Sequence, residues 1–236
     1  MDDKLFRFWN HSIGWTVFAI ALFTFGSTVE PTASFWDAGE YISTSAKLQV
    51  GHPPGAPLFQ MIGAFFALFA TSAQKVALMV NFMSVFSSAF TVLFLFWTLT
   101  LLLQKLPNFK NLENLTDRIG FFGSAAVGAL AFCFSDSFWF NAVETEVYAM
   151  ATLILSSLFW MGLRWEQEMN TPRGDRWLLM IAFVIGLSFG VHFMGLLTIP
   201  ALGMIYYFKN YQKVTFKGFV YANLISVAIL LFIFKL

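Results

Sequence analysis

Long apolar segments alternate with short polar ones along nearly the whole chain. Several of the apolar segments approach or exceed the roughly 20 residues that a helix needs to cross a bilayer. The pattern predicts seven spanning helices, at residues 13–29, 76–104, 119–134, 147–164, 177–191, 193–208 and 218–236. The two spans that flank His192 should form a hairpin, because a single helix over both would be about 48 Å long and would overshoot the bilayer.

The segment from Pro57 to Ala73 decides the topology, since its 17 apolar residues are only marginally long enough to cross. If it does not cross, the inner segments hold eleven Lys and Arg residues and the outer ones hold two, with Lys235 uncounted. The inner cations are Lys4, Arg7, Lys105, Lys110, Arg118, Arg164, Arg173, Arg176, Lys209, Lys213 and Lys217, and the outer ones are Lys47 and Lys75. Positive residues concentrate in cytoplasmic loops. We therefore predict a cytoplasmic amino terminus and an outer loop at 30–75 that carries juxtamembrane helices.

Composition agrees with a membrane protein. Hydrophobic residues make up 58% of the 236 positions, with 31 Phe, and charged residues only 11%. This is too apolar for a soluble domain, so we predict an all-α, polytopic membrane protein forming one transmembrane domain over 1–236. A net charge of +1 argues against nucleic acid as a partner. The single Cys133 rules out a disulfide within the chain.

The polar stretch from Glu30 to Pro57 is the most distinctive part of the sequence. Four of its polar residues, Asp37, Glu40, Thr44 and Lys47, follow spacings of three, four and three. These spacings would align them on one face if Asp37 opens a helix. Away from this face, toward lipid or core, would lie Tyr41, Ile42 and Leu48. Residues 51–55 contain two prolines and two glycines and must end this helix, which leaves His52 on a rigid bend beside it.

Three outer segments should meet under this topology. They are the loop at 30–57, the loop at 135–146 and the turn at 190–193. Their acids are Glu30, Asp37, Glu40, Asp136, Glu144 and Glu146, and they add His52, His192 and several aromatic residues. A water-facing cavity lined in this way at the membrane surface is a plausible active site.

The residues also carry a resemblance to a known family. The segments FWDAGEYISTSAKLQVGHPPGAPLF, NAVETEVYAM and GVHFMGLLTIPAL resemble bacterial and animal membrane proteins that are grouped with the protein O-mannosyltransferases of the GT-C glycosyltransferase fold. The resemblance implies transfer of a sugar, with mannose expected, from a polyprenyl-phosphate donor to a Ser or Thr hydroxyl of an acceptor protein on the outer face, with inversion. It also implies a longer family chain, of which these residues would be the amino-terminal part, and we expect a bacterial inner membrane.

The resemblance also implies roles for individual residues. Asp37 would be the base that deprotonates the acceptor hydroxyl, with Glu40 as second choice. Substrate contacts would come from Glu144, Glu146 and His192, and the lipid phosphate would be stabilised by Lys47 and His52. The aromatic residues that could stack on sugar or touch lipid are Trp36, Phe138, Trp139 and Tyr148. Plainer alternatives remain open: Asp37 could cap its helix, and either histidine could be structural.

Two further alternatives concern metal and mechanism. A divalent ion held by Asp37, Glu40 and His52 is conceivable, but the mannosyltransferases of this fold are generally metal-independent, so we expect no cofactor. A transporter or flippase of a lipid-linked sugar, or a noncatalytic assembly partner, would also suit a polytopic chain. Transporter sites usually lie near the bilayer midplane in repeated halves, whereas these acids cluster in outer loops and no repeat is visible.

Overall fold

The computed structural model describes residues 1–109 and 112–235, and in these ranges it is helical with no strand. Lys110, counted above among the inner cations, and Leu236, the end of the last predicted span, lie outside the described residues. The helices are α1 Asp3–Ser27, α2 Ala38–Lys47, α3 Pro57–Ala67, α4 Val76–Leu103, α5 Leu115–Cys133, α6 Asp136–Ala142, α7 Val147–Glu168, α8 Gly174–Ser188, α9 Thr198–Asn210 and α10 Phe216–Lys235. Short 3-10 turns lie at Ala73–Lys75, Pro107–Phe109 and Phe193–Leu197.

Three of these helices are long and apolar enough to cross a membrane: α4 with the turn before it, α7 and α10. The pair α5 and α6, bent by 69°, would make a fourth span if it crosses as one unit. Each of the seven predicted spans lies largely within a helix, which confirms the all-helical fold over the described residues. The crossing of α1, α8 and α9 stays a prediction, since α8 and α9 are only about 20 Å long against a hydrocarbon core of about 30 Å.

The predicted outer loop contains two short helices, as its turn residues predict. Helix α2 ends where Leu48 takes a left-handed conformation with φ 48°. Gly55, at φ 78°, turns the chain toward Pro57, which occupies the first turn of α3. With 11 residues, α3 is about 16 Å long and too short to cross.

Helix α4 is the centre of the bundle and packs against α1, α5 and α7. Its apolar positions join a core of large buried side chains, among them Phe25, Phe96, Phe121 and Phe122. Some of its buried hydroxyl groups bond to the helix itself: Ser87 donates to the carbonyl of Met83, and Thr91 donates to the carbonyl of Ser87. Such bonds let these two polar side chains stay buried in the bundle.

Candidate active site

Asp37 stands at the N-cap position of α2 but its carboxylate makes no capping hydrogen bond. The capping alternative is therefore wrong for its side chain, which is 55% exposed and faces water. Asp37, Glu40, Thr44 and Lys47 keep the predicted spacing along α2, but Thr44 is buried, and its hydroxyl lies 3.1 Å from the side-chain amide of Gln60. Lys47 is exposed in the last turn of α2.

Glu40 and His52 form the tightest polar contact of the site. The backbone N–H of His52 donates to Oε1 of Glu40 at 2.6 Å, and its ring Nδ1 lies 3.0 Å from Oε2. The two hydrogen bonds to His52 lower the pKa of Glu40, and the Glu40 carboxylate raises the pKa of His52. The other ring nitrogen, Nε2, lies 4.0 Å from Oδ2 of Asp37. The bend at 51–55 thus holds one imidazole between two carboxylates, as the sequence predicts.

Glu146, at the end of the loop at 135–146, adds another carboxylate to the site of Asp37, Glu40 and His52. It is only 8% exposed and precedes α7 directly. Desolvation, followed by the charges of Glu144 and Asp37, raises its pKa to about 7. Glu144 is 3% exposed, and burial raises its pKa as well. We call Asp37, Glu40, His52 and Glu146 the acidic cluster.

Tyr41 lies beneath the acidic cluster and is a residue that the sequence pattern assigns only to lipid or core. It is buried, as predicted, and its ring lies 5.8 Å from that of His52 and 5.2 Å from that of Phe59. Burial, followed by the charges of Glu146, Asp37 and Glu40, raises its pKa to about 12. Its position one helical turn after Asp37 is the only signal in the sequence that places it near the site.

Asn81, which was not among the residues predicted for the site, fixes the two loops relative to each other. It is fully buried in α4, and its amide nitrogen donates to the carbonyls of Glu30 at 2.7 Å and Thr32 at 3.0 Å. Its amide oxygen accepts from the hydroxyl of Thr145. A second tie joins Glu30 N–H to the carbonyl of Val143 at 2.9 Å. A lone Asn in an apolar span is the signal that could have found it, since such residues seldom lack a partner.

The turn at 190–193, the third segment predicted to reach the site, contacts α3 and α7. The carbonyl of Gly190 accepts from the N–H groups of Leu58 at 2.8 Å and Phe59 at 3.1 Å. His192 packs on Tyr148 with ring centroids 5.4 Å apart, and its Nδ1 accepts from the N–H of Met194. Burial lowers the pKa of His192. The segments at 30–57, 135–146 and 190–193 therefore converge, as predicted.

The remaining aromatic candidates lie in different surroundings. Trp36 is 88% exposed beside Asp37, at φ 62°. The indole of Trp139 donates to the hydroxyl of Thr28 at 3.0 Å and packs on Phe25. Phe138 is buried against Phe25 in the core. Trp36 is thus free to touch a bound molecule, whereas Phe138 and Trp139 hold α6 on α1.

The chemistry of the acidic cluster follows from these contacts. Asp37 is an accessible carboxylate without a strong partner, which suits a general base. One ligand atom each from Asp37, Glu40 and His52 lies within 4.8 Å of the others, so these three could hold a divalent ion. Glu146 can carry or release a proton near neutral pH, because its pKa lies there.

Comparison with known proteins identifies the family. The model of the "Protein O-mannosyl-transferase TMEM260 N-terminal domain" matches residues 37–215. The chain is 25% identical over 154 residues to the protein O-mannosyl-transferase tmem260 of Dictyostelium discoideum, which covers 65% of this chain and 17% of that protein. It is 28% identical over 176 residues to the protein O-mannosyl-transferase TMEM260 of Mus musculus, which covers 73% of this chain and 22% of that protein.

The chain thus matches about a fifth of the length of these relatives. No solved structure matches it. Because the family model spans well over half of the chain and begins at Asp37, the chain belongs to the family of the protein O-mannosyl-transferase TMEM260 N-terminal domain.

Proposed function

We propose that the chain is the amino-terminal transmembrane module of a GT-C-type protein O-mannosyltransferase. It moves mannose from a polyprenyl-phosphate donor to a Ser or Thr hydroxyl of an acceptor protein, with inversion, at the extracytoplasmic face. The whole of 1–236 acts as one transmembrane domain, with a cytoplasmic amino terminus. The observation that carries the proposal is the acidic cluster, in which an accessible Asp37 stands beside a carboxylate-bound His52. The family match supports the reaction class.

Asp37 acts as the general base. The acceptor oxygen attacks the anomeric carbon while Asp37 takes the hydroxyl proton, and the bond from that carbon to the phosphate oxygen breaks. The lipid phosphate leaves with the electron pair. Attack from the face opposite the leaving group inverts the anomeric centre. The exposed carboxylate and the absence of a capping bond support this role for Asp37.

His52 stabilises the leaving phosphate. Its raised pKa favours the imidazolium, because Glu40 lies against its Nδ1. The cation faces Asp37 through Nε2, at the rim where a phosphate oxygen could accept from it. Glu40 then positions His52, although it stays the second choice for the base. Lys47 is exposed in the last turn of α2, at the opposite end of this helix from Asp37, and supplies a further positive charge.

The walls of the site bind the sugar and the acceptor. Glu146, with a pKa of about 7, can accept a hydrogen bond from a sugar hydroxyl or donate one to it. Glu144 supports it from the buried side, and the Tyr148–His192 pair borders the same space. Trp36 offers an exposed indole for stacking. Trp139 is left out of this proposal because its ring is engaged with Thr28 and Phe25.

The test is transfer of labelled mannose from polyprenyl-phosphate donors to protein, in membranes that contain this chain or the longest natural form that includes it. Asp37→Asn should abolish transfer at normal expression, since the amide keeps the shape but cannot take the proton. Asp136→Asn is the matched control, because Asp136 is an exposed acid of the second loop outside the cluster. Equal transfer by wild type and Asp37→Asn would move the base to Glu40. No transfer from any donor would favour the transporter alternative.

A further inference from the structure

A polar cavity lies at the end of the bundle opposite the acidic cluster. Its volume is about 650 Å³, and α1, α4, α7 and α8 all contribute to its wall. Along α7, Glu146 and Arg164 are eighteen residues apart, which is about 27 Å of helix. Helix α7 is long and apolar enough to cross a membrane, and the hydrocarbon core is about 30 Å thick. We therefore infer that the cavity lies at the membrane interface on the far side from the acidic cluster.

Three indole rings form one wall of this cavity. The ring centroids of Trp97 and Trp160 are 5.9 Å apart, and those of Trp160 and Trp177 are 5.7 Å apart. The guanidinium of Arg164 lies over the ring of Trp177, 5.8 Å from its centroid. The first pair is tilted and the second is edge-to-face. The three rings come from three different helices, so the tertiary fold holds them together.

The polar lining has more hydrogen-bond donors than acceptors. Arg7 uses its Nε to reach the carbonyl of Asp3 at 3.3 Å, and its two terminal nitrogens have no partner among the described residues. Arg164 donates to Gln167 and Glu168 and still has further N–H groups. Within residues 1–109 and 112–235, the indole N–H groups of Trp160 and Trp177 donate to no acceptor. Such a lining favours a ligand that brings several acceptor oxygens.

The charges in the lining also favour an anionic ligand. Arg7, Arg164 and His11 face the cavity, and Asp3 is the one acid among the described lining residues. Glu168, outside the lining, neutralises part of the charge on Arg164 through a contact of 3.1 Å. Arg7 is therefore the cation that a ligand would meet first, and a planar guanidinium binds phosphate oxygens in pairs.

An ordinary interfacial belt is the plain alternative, since Trp and Arg often anchor helices at the membrane surface. Anchors of that kind face outward to lipid from separate helices. Here four helices turn them onto one shared space of a size that suits a small ligand or headgroup. The convergence separates the cavity from a belt.

We propose that this cavity binds the phosphate headgroup of a membrane lipid from the adjacent leaflet. The phosphate accepts hydrogen bonds from Arg7 and Arg164, and the glycerol and upper chains lie along the Trp97–Trp160–Trp177 wall, where amphipathic indoles are favoured. The site is separate from the acidic cluster, so the proposal does not depend on the proposed function.

The experiment measures retained lipid on the purified full chain by native mass spectrometry. The protein in detergent is titrated with phosphatidylglycerol, with phosphatidylcholine and with inorganic phosphate as three separate arms. Arg7→Gln should weaken retention of phosphatidylglycerol by about tenfold, the effect of one lost charge-assisted contact. Arg164→Gln should weaken it similarly, and Arg173→Gln, an exposed arginine near the same end but outside the lining, should leave it unchanged.

The outcomes separate the proposal from its rivals. Arg7 is exposed and its side chain reaches only one local carbonyl, so Arg7→Gln should keep the fold even if Arg164→Gln does not. Equal retention by wild type and Arg7→Gln would overturn the proposal, as would an equal loss in Arg173→Gln. Displacement of lipid by millimolar inorganic phosphate would assign the cavity to a free anion and overturn the lipid proposal. Equal retention of both lipids with a loss in Arg7→Gln would support a phosphate-specific site.

Discussion

Glu146 should make the protein less stable as the pH rises through neutrality. Burial and the charges of Glu144 and Asp37 raise the pKa of this carboxyl from its ordinary 4.5 to about 7 in the folded protein. Between these two values the folded state binds a proton that the unfolded state has lost. The free energy of unfolding therefore falls as the pH rises from about 4.5 to about 7, and it levels off above that range.

The magnitude follows from the size of the pKa change. A difference of one in pKa corresponds to about 1.4 kcal/mol, so the full change from 4.5 to about 7 bounds the effect at about 3.5 kcal/mol. Some water reaches the rim of the cluster, and we expect about 1 to 3 kcal/mol. Glu146→Gln cannot ionise, so it removes this loss and should be more stable than wild type at pH 8.

The assay is thermal unfolding of the purified protein in detergent between pH 5 and pH 8. For a chain of this size, the predicted free energy corresponds to a gain of roughly 2 to 12 °C for Glu146→Gln over wild type at pH 8. The gain should shrink toward zero at pH 5, where wild type is protonated at this position. Asp136→Asn serves as the control. A gain for Glu146→Gln that is equal at pH 5 and pH 8 would refute the role of ionisation.

Three further predictions concern the site and its scaffold. Glu40→Gln should lower the pKa of His52 toward 6.5, because the carboxylate that favours the imidazolium is gone. An NMR titration of the three histidines would measure this. Identical titration curves for wild type and Glu40→Gln would contradict the prediction. Excess EDTA should leave mannose transfer unchanged, and loss of transfer restored by magnesium or manganese would place an ion between the three ligands that lie within 4.8 Å. Gly63→Ala should destabilise the protein by about 1 to 3 kcal/mol, since a Cβ would come within 2.5 Å of the Ser45 hydroxyl. Gly120→Ala is the control and should not destabilise the protein, because nothing lies within 4 Å of a Cβ there. Thermal unfolding of both variants would test this.

The helical architecture and the meeting of the three outer segments could be predicted from sequence. Apolar length sets the helices, and Gly and Pro at 51–55 set the bend that carries His52. Thr44, on the predicted polar face of α2, is buried for a tertiary reason. Gln60 of α3 offers it a buried hydrogen-bond partner, so the hydroxyl turns inward. A helix period alone does not tell which polar residue finds such a partner.

The sequence offers weak signals for Asn81 and Tyr41 but does not identify their partners, because these lie in distant segments. Asn81 bonds to residues 49 and 51 positions earlier and to Thr145, 64 positions later. Tyr41 looks like any core aromatic until Glu146 is placed beside it. Spacing within one element carries no information about pairs of this kind.

The hydrogen bonds of Asn81 have a consequence for how the protein tolerates different membranes. A bilayer that is thinner or thicker than the hydrophobic length of a bundle makes its helices tilt and shifts the segments at their ends. Here the backbone of the first loop and the hydroxyl of Thr145 are bonded to one amide inside α4. The two loops must therefore move together when α4 tilts. The spacing of Asp37 and Glu146 is set inside the protein, and a change in lipid thickness displaces the site as a unit without pulling its two halves apart.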